Sequence, residues 1–144
     1  MKSSSEVSKL FQRGTRFQYT YYYPRPPPPS TPAIHLSRSN ASASDLAQHP
    51  IYSSIRALDH EAMEILAMTS ATASSTHHDF AAYLQRTKNN ICGRHPIGVM
   101  LGALSAVQQG GRTPRLKWVR YEQSSQCLNI NDSSVSYASA YITF

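Results

Sequence analysis

The sequence NICGRHPIG, residues 90–98, combines reactive side chains with the expected start of a helix. Pro96 suits the first turn of a helix, where its missing amide proton costs no hydrogen bond. Cys92, Arg94 and His95 therefore lie beside a helix N-terminus, and reactive thiols are typically found at such positions near a cation. This placement suits a metal ligand or a redox-active thiol.

The same residues also have plainer interpretations. Cys92 could be a small buried hydrophobic residue, and His95 could be a hydrogen-bonded cap before Pro96. Cys-x-x-His is only half of a zinc site, and no second pair of ligands stands at zinc-finger spacing. The stretch by itself leaves both alternatives open.

Helical periodicity continues on both sides of this loop. Apolar residues from Ile97 to Val107 form one stripe, and Gly110-Gly111 are typical of a helix end. A second pattern starts after Pro50, and we expect a break near His60, with Asp59 capping the part that follows.

A further helix is predicted between these two. Thr76 and Asp79 have the spacing of a capping box, and this assignment is preferred over a metal site at residues 77–79. Asn89-Asn90 would end the helix. Its buried face would consist of Phe80, Tyr83, Leu84 and Thr87.

Two alternating runs near the C-terminus predict strands. They are Leu116–Tyr121 and Ser134–Tyr137, the second continuing into Ala140–Phe144, with turn residues at 129–132 between them. The predicted fold class is α/β: helices, then a C-terminal strand pair with exposed sheet edges.

The first 48 residues have a different composition. Residues 1–13 are polar, and residues 17–23 are aromatic and predict a short strand. Residues 24–48 are rich in proline and serine, and we expect a disordered insertion or linker there. Arg25 beside the prolines of residues 24–32 also permits an SH3 or WW contact.

The composition restricts location and partners. Two cysteines are too few for a disulfide scaffold, so we expect a cytoplasmic protein. No apolar run is long enough for a membrane span. Between Asp79 and Glu122 the chain has seven basic residues and no acidic one. A polyanion could bind there, but we favour a solvated face over a nucleic-acid site, because no nucleic-acid motif accompanies the charge.

The reactive loop also carries a family resemblance. Ile-Cys-Gly-Arg-His-Pro-Ile-Gly-Val, residues 91–99, is very similar to a signature of the Memo (mediator of cell motility) family. The similarity continues through Tyr121–Cys127 and Asp132–Ala138. Upstream, Gly14–Tyr22 and the helical region Ile51–Leu66 also resemble the family. The resemblance thus covers residues 14–23 and about 49–144, in family order.

The resemblance implies a fold and a pocket. Memo proteins resemble class III non-haem iron dioxygenases, with three α/β layers, and this chain would be the C-terminal portion. The family pocket takes histidines from the N-terminal half, an Asp and a His from a loop, and the cysteine that matches Cys92. The resemblance makes Arg94, His95, Gln126 and Asp132 candidate pocket-lining residues.

Departures from the family pattern decide the functional expectation. Lys9 stands where the family has the acid, and Gln12 where it has the histidine; neither is a good ligand for a transition metal. We also expect the family's N-terminal half to be missing. No catalytic residue is assigned, and no cofactor is expected.

The resemblance therefore implies a non-catalytic protein with a signalling or cell-motility role and a protein or phosphopeptide partner. The alternative is a copper- or iron-dependent redox enzyme that is completed by the missing half. A second alternative is a polyanion-binding module.

Overall fold

The computed structural model describes residues 11–13, 36 and 43–144. Within them, the predicted order of helices followed by an antiparallel strand pair is confirmed, and the fold is α/β. The helices are α1 (Ala43–Gln48), α2 (Ile51–Leu66), α3 (Ala73–Thr87) and α4 (Arg94–Gln109), and the strands are β1 (Phe11–Arg13), β2 (Arg115–Gln123) and β3 (Ser134–Thr143).

Helix α2 is amphipathic and runs without interruption. The break expected near His60 is absent, and Asp59 is not a cap but a buried residue inside the helix, only 1% exposed. Ile55, Asp59 and Ala62 are spaced by four and three residues, so Asp59 lies on the buried face of the helix. The prediction was wrong because a carboxylate was taken as a surface residue.

Helix α3 begins earlier than predicted. The capping box is formed by Thr72 and Ser75, not by Thr76 and Asp79: Ser75 N donates to Thr72 Oγ1 at 3.1 Å, and Thr72 N donates to Ser75 Oγ at 3.0 Å. Thr76 is buried within the helix. Because several hydroxyl residues precede this helix, spacing alone did not single out the residue that caps it. The helix ends at Thr87, and Lys88 follows in a left-handed conformation.

Helix α4 starts and stops where the sequence predicted. Pro96 occupies its first turn, and Gly110 caps its end, followed by Gly111 with a φ of +86°. Ile97, Leu101 and Leu104 are buried. They join the main core, which the helices form with the inner face of the sheet.

The sheet has the order β1-β3-β2, and both pairings are antiparallel. Trp118 connects the sheet to α2, because its indole Nε1 donates a hydrogen bond to Met63 O at 2.8 Å. The register shifts between Trp118 and Arg120. Tyr137 and Tyr141 alternate with buried residues of β3, so they lie on the opposite, exposed face.

The N-terminal segments differ in part from expectation. Strand β1 lies in residues 1–13, where no strand was predicted, and it pairs with Ser134–Ser136 of β3. Residues 43–48, assigned to the Pro/Ser-rich insertion, form α1. The strand predicted at residues 17–23 and nearly all of residues 24–42 lie outside the described residues. Leu36 is described, and it packs in a small second core with Ile51, Ile55, Cys127 and their neighbours.

None of the helices described has the length and the apolar character that crossing a membrane requires.

Candidate functional site

The loop between α3 and α4 places Cys92 at the surface and is anchored by buried residues on its N-terminal side. Asn89 is 5% exposed and Ile91 is fully buried, whereas Cys92 is exposed. The Ile91 amide donates to Asn89 O at 3.1 Å, and the Arg94 amide donates to Ile91 O at 3.2 Å. The loop therefore holds the Cys92 thiol at the start of α4 without burying it, and the interpretation of Cys92 as a buried hydrophobic residue is wrong.

Arg94 and His95 line a groove between α3 and α4. The groove has a volume of about 410 Å³. Arg94 Nη1 donates to Ile91 O at 3.3 Å, which ties the guanidinium to the reactive loop. Phe80, Leu84 and Val99 provide apolar walls, and the remaining lining residues are His77, Ala81, Arg94, His95 and Gly98. No carboxylate is among these lining residues, so the groove combines an apolar wall with one cationic side chain, that of Arg94.

Gln126 and Asp132 lie elsewhere, on the connection between β2 and β3. The Asp132 carboxylate accepts hydrogen bonds from the Leu128 and Asn129 amides, both at 2.8 Å. These backbone donors, first that of Asn129 and then that of Leu128, hold the pKa of Asp132 below its ordinary value. Gln126 is exposed. Neither residue lines the groove, so the structure brings only Arg94 and His95 of the four candidates together there.

A buried polar cluster, which was not predicted from the sequence, contacts the loop between α3 and α4 through Asn89. We call it the Asp59 cluster: Asp59, Tyr83, Asn89, Tyr121, Gln123 and Ser136. Asp59 Oδ1 accepts a hydrogen bond from Asn89 Nδ2 at 3.3 Å, and its Oδ2 accepts one from the Tyr121 hydroxyl at 2.8 Å. Asn89 Nδ2 also lies 2.7 Å from the Tyr83 hydroxyl, which donates to Leu58 O at 2.8 Å. The Asp59 carboxylate thereby connects α2, the loop between α3 and α4, and β2.

Burial controls the protonation of the two tyrosines in this cluster. Burial is the main cause that raises the pKa of both the Tyr83 and the Tyr121 hydroxyl well above the ordinary tyrosine value, and the nearby Asp59 raises both further. Both hydroxyls therefore stay protonated and continue to donate hydrogen bonds throughout the neutral range.

The described side chains near Cys92 do not by themselves supply the donor set of a copper or iron site. No group of three His, Cys, Asp or Glu side chains within the described ranges could hold a metal, whereas working sites use three or more protein ligands. His78 and Asp79 approach each other at 3.6 Å, but both are exposed on α3. The Asp132 carboxylate is engaged by backbone amides, and the cationic Arg94 shares the groove with His95.

Comparison with known proteins agrees with the motifs. The profile of Memo-like proteins matches residues 7–141, beginning upstream of Gly14, where the motifs had suggested a start. Human protein MEMO1 is 37% identical over 130 residues, which are 90% of this chain and 34% of that protein. The Saccharomyces cerevisiae MEMO1 family protein MHO1 is 38% identical over 136 residues, 90% of this chain and 39% of that protein.

The chain therefore spans between a third and two fifths of the length of these relatives. The matched region includes the Cys92 loop, the groove and the strand pair. With a profile match over most of its length, this chain belongs to the Memo family.

Proposed function

We propose that this chain is a non-catalytic interaction protein of the Memo family, with a role in signalling to cell motility. The proposal is supported by the donor set: within the matched part of the family pattern Cys92 keeps the ligand position, whereas Lys9 and Gln12 stand where the family has the Asp and the His of its loop. The observation that carries the proposal is the groove between α3 and α4, because its lining combines an apolar wall with the guanidinium of Arg94 and contains no carboxylate.

The chemistry of the groove favours an anionic protein segment as partner. Arg94 presents a planar set of donors, the geometry that binds carboxylate and phosphate well. The apolar wall from Phe80 to Val99 would contact neighbouring apolar side chains of the same segment. A phosphopeptide or an acidic peptide with apolar flanks meets both requirements.

Paired peptides test this proposal. Two synthetic peptides, identical except for one phosphotyrosine, are titrated into the reduced protein while amide shifts of α3 and α4 are followed. We expect the phosphorylated form to bind at least about tenfold more tightly, since charge-assisted bidentate hydrogen bonds are among the strong ones. Arg94→Ala should remove this preference. Arg56→Ala, at an exposed arginine of α2, is the matched control. Equal binding of the two peptides would contradict the proposal.

The redox alternative is tested by metal content. It rests on the exposed thiol of Cys92 at the family's ligand position. The purified, reduced protein is incubated with Cu(I) or Fe(II) alone and desalted, with Cys92→Ala alongside. We expect neither protein to retain stoichiometric metal. Retention that disappears in Cys92→Ala would favour a metal-dependent redox enzyme related to non-haem dioxygenases.

The basic residues favour a protein partner over nucleic acid. Arg86 pairs with Glu61, and Arg120 pairs with Glu122 at 3.3 Å. Arg115 donates to Met68 O at 3.3 Å. Three of the seven basic residues between Asp79 and Glu122 are thus engaged within the chain, and no nucleic-acid motif accompanies the seven, so we propose no nucleic-acid site. Binding of a single-stranded oligonucleotide that falls steeply with salt would support the polyanion alternative instead.

We further propose a cytoplasmic location, because two cysteines are too few for a disulfide scaffold. The SH3 or WW contact through residues 24–32 remains a prediction, since these residues lie outside the described part of the chain.

A further inference from the structure

Asn89 fixes the loop that carries Cys92 through contacts on both its backbone and its side chain. Its amide donates to Thr87 Oγ1 at 3.2 Å, and its side chain reaches Asp59 Oδ1 at 3.3 Å and the Tyr83 hydroxyl at 2.7 Å. With its side chain held in the core, Asn89 determines where the chain leaves α3. Cys92 follows only three residues later.

Asp59 is the less expected partner in this arrangement. A carboxylate that is 1% exposed gives up most of its hydration, and burying it is costly unless hydrogen bonds compensate. Its immediate neighbours on the buried face of α2, Ile55, Leu58 and Ala62, are apolar, and an apolar side chain there would have avoided the cost. A carboxylate at this buried position is understandable if Asp59 has a role other than packing.

We infer that Asp59 is a positioning residue that holds the Cys92–His95 segment through Asn89, and so sets the geometry of the proposed docking groove. The functional importance of that segment rests on the proposed function. That Asp59 holds the segment in place through Asn89 rests on the hydrogen bonds alone. Asp59 is not among the residues that line the groove, and its carboxylate meets the loop at the side chain of Asn89.

The two oxygens of Asp59 make this role separable from ordinary stabilisation. Oδ1 faces Asn89 and the loop, whereas Oδ2 faces Tyr121 on β2. Asn89→Ala cuts the loop side, and Tyr121→Phe cuts the sheet side. Both substitutions should destabilise the fold, but only the first should loosen the loop.

The experiment measures amide hydrogen exchange and thiol alkylation in three proteins that share a Cys127→Ala background: the parent, Asn89→Ala and Tyr121→Phe. Asn89→Ala removes the side-chain hydrogen bonds to Asp59 and Tyr83, so it should speed exchange of the Ile91 and Arg94 amides by at least roughly fivefold relative to amides in the middle of α4. The alkylation rate of Cys92 by iodoacetamide should change in the same variant. Tyr121→Phe should leave both quantities at the parent value after correction for its global stability.

A proportional rise in exchange over α3, the loop and α4 in both variants would overturn the inference, because Asp59 would then serve only global stability. Asp59→Asn is a further variant that keeps an acceptor oxygen for Asn89, and its Arg94 amide should exchange as slowly as in the parent if the side chain keeps its orientation towards the loop.

The peptide titration separates this inference from the proposed function. If the phosphopeptide fails to bind the parent protein while the exchange results hold, the proposed function fails and the positioning role stands. If the peptide binds and Asn89→Ala weakens its binding while Tyr121→Phe does not, both are supported. Binding that is equally weakened by both variants would count against positioning.

Discussion

The Tyr121 hydroxyl donates to Asp59 Oδ2 at 2.8 Å and so joins β2 to the middle of α2 across 62 residues of sequence. The same hydroxyl accepts a hydrogen bond from Gln123 Nε2 at 3.0 Å, and Gln123 also donates to Tyr52 O at 3.1 Å near the start of α2. The interface between helices and sheet is therefore polar at this end, while Trp118 and Leu116 contribute apolar contacts to the main core.

Removing this hydroxyl should destabilise the fold measurably. Tyr121→Phe keeps the ring but leaves an oxygen of a buried carboxylate without its donor, which costs about 1–3 kcal/mol of unfolding free energy. Urea unfolding followed by the fluorescence of Trp118, the single tryptophan, measures the change. Tyr137→Phe is the control, because Tyr137 is 40% exposed on the other face of the sheet. Equal stability of Tyr121→Phe and the parent would show that the hydrogen bond has no net value.

Alkaline pH should weaken the same region. Burial raises the pKa of Tyr83 in the folded state above its value in the unfolded chain. The stabilisation is therefore fully present below about pH 10, the ordinary tyrosine pKa, and is lost as pH rises towards the folded pKa. Urea unfolding between about pH 8 and pH 11 should show stability falling above pH 10.

Tyr83→Phe isolates the contribution of this one residue to the alkaline loss. It lacks the titrating group, so its stability should fall less steeply with pH than that of the parent, even though its stability at neutral pH is lower. Parallel pH profiles for the two proteins would show that Tyr83 is not responsible for the alkaline loss.

The sequence predicted the features that follow from local physics. The stripe of α4, its first-turn proline and its terminal glycines need no knowledge of the rest of the chain, and all three were correct. The alternation in β2 and β3 likewise predicted the strand pair. Thr72 was missed because capping depends on where the chain turns, and Ser and Thr residues are frequent in that loop.

The Asp59 cluster shows what local patterns do not reveal. Asp59 lies in apolar register on α2, and this was a usable signal for burial. Its partners Asn89 and Tyr121 come from distant segments, and only the tertiary fold brings them together. In the same way, the family motif identified Cys92 and Arg94, but it did not predict that Asp132 would be engaged in its own turn.

The core of α4 should be sensitive to a single truncation. Leu101 is fully buried in the main core, so Leu101→Ala should cost about 2–5 kcal/mol through lost burial and the cavity left behind. Val99→Ala, on the same helix at a side chain that is 75% exposed, should change stability by less than about 0.5 kcal/mol. Urea unfolding of both variants measures the difference. Similar losses would mean that α4 does not pack as described.

Glycine-to-alanine substitutions inside α4 and just after it should act with opposite sign. Gly102 lies inside α4, and a Cβ there would meet no atom within 4 Å, so Gly102→Ala should stabilise the protein by about 0.5–1 kcal/mol. Gly111 has a φ of +86°, which alanine adopts only with strain, so Gly111→Ala should destabilise it by about 1 kcal/mol or more. Thermal unfolding of the two variants beside the parent gives both signs in one experiment. If Gly111→Ala is neutral, the chain after α4 does not need the left-handed turn, and β2 can begin from another connection.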